Sequence, residues 1–237
     1  MTPKDYPRPR IPEIDSARGV AVSLMVVYHA LFDLVFFYGW QVDVHSGIIW
    51  IVGRSAAVLF VGIAGISMVL AWKRKHAGQK IEPVKRGIGI IALGMVLTLF
   101  TAIWFPNYII WFGVLHLIGV ALIIGTLFLE HPRVAGVIGA VITAIGIYFS
   151  ISTAQNIIPI LPASTSTFDY FPLFPWLGVF LMGMSVGNYF FVPRLQFAHA
   201  QTKNPITKAL AWAGRRSLII YFVHQPILFV IFWILMR

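Results

Sequence analysis

Cysteine is absent from the 237 residues, which excludes disulfides and thiolate metal sites. Charge is scarce as well, at 11% of residues against the roughly 25% usual for a soluble domain. Acids are the rarest of all, 8 Asp and Glu against 18 Lys and Arg. No Walker loop, dinucleotide glycine fingerprint or HExxH metal motif occurs. No helix carries the arginine ladder of a voltage sensor, and no inverted repeat of the transporter kind stands out. A secretory signal peptide is not expected either: Met1 to Pro12 is polar and proline-rich, and no short apolar stretch with a small-residue cleavage site follows.

What is abundant is hydrophobic surface, 59% of residues, more than a water-facing fold can hide. A bilayer accepts apolar side chains facing outward. The expected fold is therefore all-α, a polytopic transmembrane bundle forming one domain over residues 1–237. About 20 apolar residues cross a bilayer. On that measure seven spans fall near 15–38, 48–72, 84–105, 108–129, 133–151, 172–192 and 215–236, the glycine-rich fifth being the weakest. Polar or basic loops separate them, the last over Pro193 to Gly214.

The net charge of +10 is better assigned to loops facing anionic lipid than to nucleic acid, which is not expected as a partner. With the amino terminus in the cytoplasm, nearly all basic residues fall inside; only Arg54 and Arg237 fall toward the outside. An odd span count then puts the carboxyl terminus outside.

Ionisable residues within spans are functional candidates by default. Five stand out: His29, Asp33, Arg54, His116 and His224. At 100° per residue, Asp15, Arg18, His29 and Asp33 share an arc of about 60° on the first span. His29 and Asp33 are spaced i, i+4, so a carboxylate can meet and orient an imidazole, while Asp33 against Arg54 is the structural alternative. His116 sits in FGVLHLIG at a depth close to that of His29. In the last span Ser217, Tyr221 and His224 share a face, with Gln225 adjacent and Pro226 freeing a backbone carbonyl. Close helix approach is the reading for Gly62, Gly65 and the glycines of the third span. The segment from Asp169 to Trp176 is read as capping the sixth helix, with Asp169 as a candidate acceptor contact.

A basic rim of Arg18, Lys73, Arg74, Arg86, Arg215 and Arg216 suits a phosphate-bearing donor such as a nucleotide or acyl-CoA. A buried histidine can then deprotonate a hydroxyl or amine, or accept an acyl group itself. The competing readings are a proton-coupled transporter or channel for a small anion and a non-enzymatic membrane subunit.

The strings IDSARG and LMVVYH resemble the first helix of membrane acyltransferases, and Arg18 with His29 has the R-x10-H spacing of acyltransferase family 3. HALFDL, LFVGIAGIS, FGVLHLIG, DYFPLFPW and RRSLIIYFVHQP together resemble more closely the heparan-α-glucosaminide N-acetyltransferase-like catalytic family in its short prokaryotic form. The resemblance covers nearly the whole chain. It implies transfer of an acyl group, acetyl from acetyl-CoA, to an acceptor at the outer face of a prokaryotic cytoplasmic membrane. His29 would be the leading base, or else the acyl carrier, oriented by Asp33, with His116 and His224 binding or polarising the reacting groups. Arg18, Lys73, Arg86, Arg215 and Arg216 would hold CoA phosphates. Arg54, His45, Asp169, Tyr221 and Gln225 would contact the acceptor. The lysosomal members differ: they have more helices, a luminal domain, an asparagine-like position where His29 stands, and a catalytic histidine before the next helix. His45 is the nearest match to that histidine, so the base is His29 or His45. Expected partners are membrane lipid, acyl-CoA and a small sugar-like or lipid-linked acceptor, with a homodimer left open and no metal required.

Overall fold

A computed structural model describes residues 11–44, 46–74, 80–151, 166–197 and 204–235. These form eight α-helices: α1 (Pro12–Tyr38), α2 (Gly47–Arg74), α3 (Ile81–Trp104), α4 (Val114–Gly125), α5 (Pro132–Ile151), α6 (Leu173–Val186), α7 (Pro205–Arg215) and α8 (Ser217–Leu235). Among the described residues extended pairing is limited to an isolated bridge between Phe112 and Tyr170. The protein is an all-α polytopic membrane bundle. Six helical segments are long and apolar enough to cross a bilayer, and Val114–Phe128 is a shorter apolar helix.

The helices fall into two compact units, with α2 running from one into the other. The first holds α1, the start of α2, α7 and α8. Here α1 and α8 run in the same direction: the rings of His29 and His224 lie 4.9 Å apart, those of Phe37 and Phe229 6.0 Å, and those of Tyr38 and Phe232 6.0 Å. Two spans pointing the same way are separated by an odd number of crossings. Among the described residues four long apolar helices and the shorter apolar Val114–Phe128 lie between them, an odd number that agrees with the seven expected spans.

The helix α7 corrects the sequence reading, which took 193–214 as loop. Pro205 suits a first helical turn because its missing N–H is unneeded there, and the Asn204 side chain caps the helix by accepting from Ile206 N at 2.9 Å. Its basic, amphipathic composition hides it from a search for apolar runs. It packs on the amino-terminal part of α1 backbone to backbone. A Cβ on Gly214 would meet the Asp15 carbonyl oxygen, and one on Gly19 would meet the Leu210 carbonyl. Ser16 Oγ adds a bond to the Thr207 carbonyl at 3.2 Å.

The second unit holds the end of α2 and α3 to α6. Contacts between Gly94 and His116 and between Gly87 and Gly119 make α3 and α4 antiparallel. Lys80 pairs with Glu130 at 3.2 Å, and Arg133 donates to the Tyr189 hydroxyl at 3.2 Å. These contacts gather the start of α3, the α4–α5 turn and the end of the sixth span at one end of the unit. The Phe112–Tyr170 bridge lies at the other, so α4 crosses from end to end. The weak fifth span is helical as expected. Its glycines allow close packing on α6, where a Cβ on Gly139 would lie 2.8 Å from the Gly178 carbonyl oxygen. Gly65 meets the Phe180 carbonyl in the same way, the close approach expected at that position. The sixth span continues past α6 as a π-helical turn over Gly187–Phe191.

The fourth span starts later than the expected 108. Residues just before Val114 are held out of the helix by α3: Thr101 Oγ1 accepts from Ile110 N at 3.0 Å and Thr98 Oγ1 donates to Ile110 O at 2.6 Å. Non-helical backbone inside a membrane needs such buried partners. The cap assignment also changes. Asp169 accepts from Val114 N at 3.0 Å and so caps α4, whereas α6 begins at Leu173, after Pro172, without a side-chain cap.

Candidate active site

The first unit brings together His29, Asp33, His224 and Gln225 from α1 and α8. His29 Nδ1 lies 2.9 Å from the Met25 carbonyl, and His224 Nδ1 lies 2.7 Å from the Tyr221 carbonyl. A carbonyl can only accept, so each neutral ring carries its proton on Nδ1 and leaves Nε2 as a lone pair. The two rings meet edge to face at an interplanar angle of 72°. His224 is buried, and its Nε2 has no hydrogen-bond partner among the described residues. A buried acceptor without a donor is costly, and this one has the tautomer a general base needs.

Asp33 is 3% exposed and takes its hydrogen bond from Gln225 Nε2 at 3.5 Å. This corrects the acid–imidazole pairing expected from the i, i+4 spacing. His29 bonds one turn back along its own helix, while Asp33 looks across to α8. The amide of Gln225, read as an acceptor contact, thus holds Asp33. Tyr221 sits beside the pair, its ring 5.8 Å from that of His224.

His116 belongs to the second unit and has a different environment. Gly113 N–H donates to its Nδ1 at 3.3 Å, so the proton sits on Nε2, which faces Thr98 Oγ1 at 3.5 Å. The Thr98 hydroxyl proton is in turn given to Ile110 O. Both ring nitrogens are committed to holding the start of α4. Thr98 and Thr101, unremarked in the sequence, complete this network; threonines in an apolar helix near a histidine were the available signal. Asp169 is engaged at the same helix start.

The basic residues divide between the units. In the first, Arg18 forms an ion pair with Asp15 at 3.5 Å where α7 crosses α1, and Arg215 and Arg216 are exposed at the end of α7. Arg216 lies over the Trp212 ring at 4.6 Å. In the second, Lys73 is exposed at the end of α2, 4.7 Å from the Trp72 ring, and Arg86 is exposed on α3. Arg54 is exposed on α2, with its guanidinium 5.5 Å from the Trp50 ring. His45 lies outside the described residues. Among the described residues no group of three or more His, Asp or Glu has the arrangement to hold a metal ion.

Comparison with known families adds one finding. The family described as heparan-alpha-glucosaminide N-acetyltransferase, catalytic, matches residues 10–226. No curated protein sequence and no solved structure matches the chain. The matched range contains every site residue named above.

Proposed function

Since the chain belongs to the heparan-alpha-glucosaminide N-acetyltransferase catalytic family, a family of membrane acyltransferases, we propose that it moves an acetyl group from cytoplasmic acetyl-CoA to a hydroxyl or amine at the opposite membrane face. The observation that carries this reading is the imidazole pair. Both rings hold their proton on Nδ1, and the buried Nε2 of His224 awaits a partner. The acceptor oxygen or nitrogen attacks the thioester carbonyl carbon while its proton passes to an imidazole Nε2. The tetrahedral adduct then breaks its carbon–sulfur bond, and the departing CoA thiolate takes up that proton. The acetylated acceptor and free CoA are the products.

The charge distribution supports the direction of transfer. Amino terminus inside is the orientation that keeps Arg18, Lys73, Arg86, Arg215 and Arg216 on the cytoplasmic face. Arg18 stands three turns before His29 on α1, about 16 Å along the axis. A phosphate anchor at that end and a reacting carbonyl at the histidines require a long, flexible donor, which acetyl-CoA is. Arg18, Arg215 and Arg216 serve as the phosphate contacts, and His29 with His224 as the base.

The test is ligand stabilisation. Millimolar acetyl-CoA is expected to raise the unfolding temperature of the purified protein, and to raise it less in an Arg215→Gln, Arg216→Gln variant. Absence of any shift in the wild type, with proton flux into protein-containing liposomes, would contradict the enzyme and favour a proton-coupled transporter.

A further inference from the structure

One strip of α2 in the first unit is apolar and uncovered. Ile51, Arg54 and Val58 recur along it, and Trp50, Ser55 and Leu59 complete a shallow groove. Ile51 is 54% exposed and Val58 48%. An exposed apolar strip on a spanning helix faces acyl chains, so the guanidinium of Arg54 sits in a lipid-facing wall. It is two turns from the start of α2, about 10 Å, within snorkelling reach of the phosphate layer. Trp50 lies one turn nearer that end, a position suited to an interfacial aromatic. The guanidinium fork matches phosphate geometry, and the walls suit a hydrocarbon chain.

The same turn of α2 meets α1. A Cβ on Gly53 would lie 2.7 Å from the Tyr28 ring, so α1 packs against α2 beside Arg54. The Tyr28 ring is 5.7 Å from that of His29. The turn of α2 that carries Arg54 thus touches the residue next to His29 on α1.

We infer that this groove binds a lipid-borne phosphate, with Arg54 on the phosphate and the chain along Ile51, Val58 and Leu59, and that the acceptor is a membrane lipid whose head group reaches His29 and His224 laterally. The acceptor role rests on the acetyl-transfer reading; the lipid site does not. A soluble phosphate is disfavoured because, apart from Arg54 and the Ser55 hydroxyl, the side chains lining the groove are hydrophobic.

Native mass spectrometry of the purified protein in neutral detergent tests this with three probes: phosphatidylglycerol, diacylglycerol of the same chains, and inorganic phosphate. Phosphatidylglycerol is expected to be retained by the wild type and by Lys85→Gln, an exposed change on α3. Its retention is expected to fall about tenfold in Arg54→Gln and less in Arg54→Lys. Equal retention by Arg54→Gln, equal retention of diacylglycerol, or displacement by millimolar inorganic phosphate would overturn the lipid site. If Arg54→Gln does not fold, the phosphatidylglycerol–diacylglycerol comparison on the wild type decides. Arg54-dependent retention in a protein that acetyl-CoA does not stabilise would refute the transfer reading and the acceptor role while leaving the lipid site standing. Acetyl transfer at an undiminished rate in Arg54→Gln, with lipid retention lost as expected, would overturn the acceptor role while leaving the lipid site and the transfer reading standing.

Discussion

Replacing Thr98 with valine separates a structural histidine from a catalytic one. Valine keeps the shape and removes the hydroxyl. Two groups then lose a partner: the half-buried Ile110 carbonyl, which receives the Thr98 proton at 2.6 Å, and the buried His116 Nε2, which faces the hydroxyl at 3.5 Å. The short bond carries most of the loss, since an interaction at 3.5 Å is weak. Leaving a buried polar group unsatisfied costs about 1–3 kcal/mol, and no water is at hand in a membrane interior to compensate. A loss of about 2 kcal/mol lowers the folded-to-unfolded ratio by roughly 30-fold. Denaturant unfolding in detergent, followed by circular dichroism, reads this directly. Thr98→Ser restores the hydroxyl and is expected to restore stability. Because both nitrogens of His116 are held by this network, acetyl transfer per folded molecule in Thr98→Val is expected to stay within about twofold of wild type. A transfer rate reduced a hundredfold with unchanged stability would refute the reasoning and return His116 to the chemistry.

Other predictions follow from helix ends and crossings. Asp169→Ala removes the acceptor for Val114 N and is expected to destabilise by about 1 kcal/mol, whereas Asp169→Asn keeps an acceptor oxygen and loses less; unfolding midpoints of the two variants check the order. Gly214→Ala drives a Cβ against the Asp15 carbonyl and to 2.8 Å from Gly19 N, so α1 and α7 must part at a cost of about 1–3 kcal/mol. The same change is expected to weaken acetyl-CoA stabilisation, because Arg215 and Arg216 follow Gly214 directly.

The sequence is most informative where the signal is local. Long apolar runs mark α1, α2, α3 and α8, and the glycine-rich fifth span is a true helix because Gly139 and Gly178 let two backbones touch. α7 escapes because exposed basic residues keep its sequence from forming a continuous apolar run, and only packing on Gly19 reveals the need for Gly214. The late start of α4 depends on Thr98 and Thr101 side chains that capture Ile110, and its cap comes from Asp169, 55 positions away. The site shows the same division. His29, Asp33, His224 and Gln225 all stand out as polar residues in spans, but their pairing is set by the parallel packing of α1 on α8. Thus Asp33 turns to Gln225, and His29 meets a histidine 195 residues further along. No spacing rule within one helix contains that information.

The central claim is that His29 and His224 act as one base. Labelled acetyl transfer from acetyl-CoA to head-group amines or hydroxyls should be measured for His29→Ala, His224→Ala and the double variant, each checked for folding. General-base removal is expected to lower kcat by about 10²–10⁴-fold in each single variant. The double variant is expected to be no slower than the slower single, since groups acting as a unit are not additive. Full activity in either single variant, or loss of activity in His45→Ala with both histidines of the pair dispensable, would contradict the account.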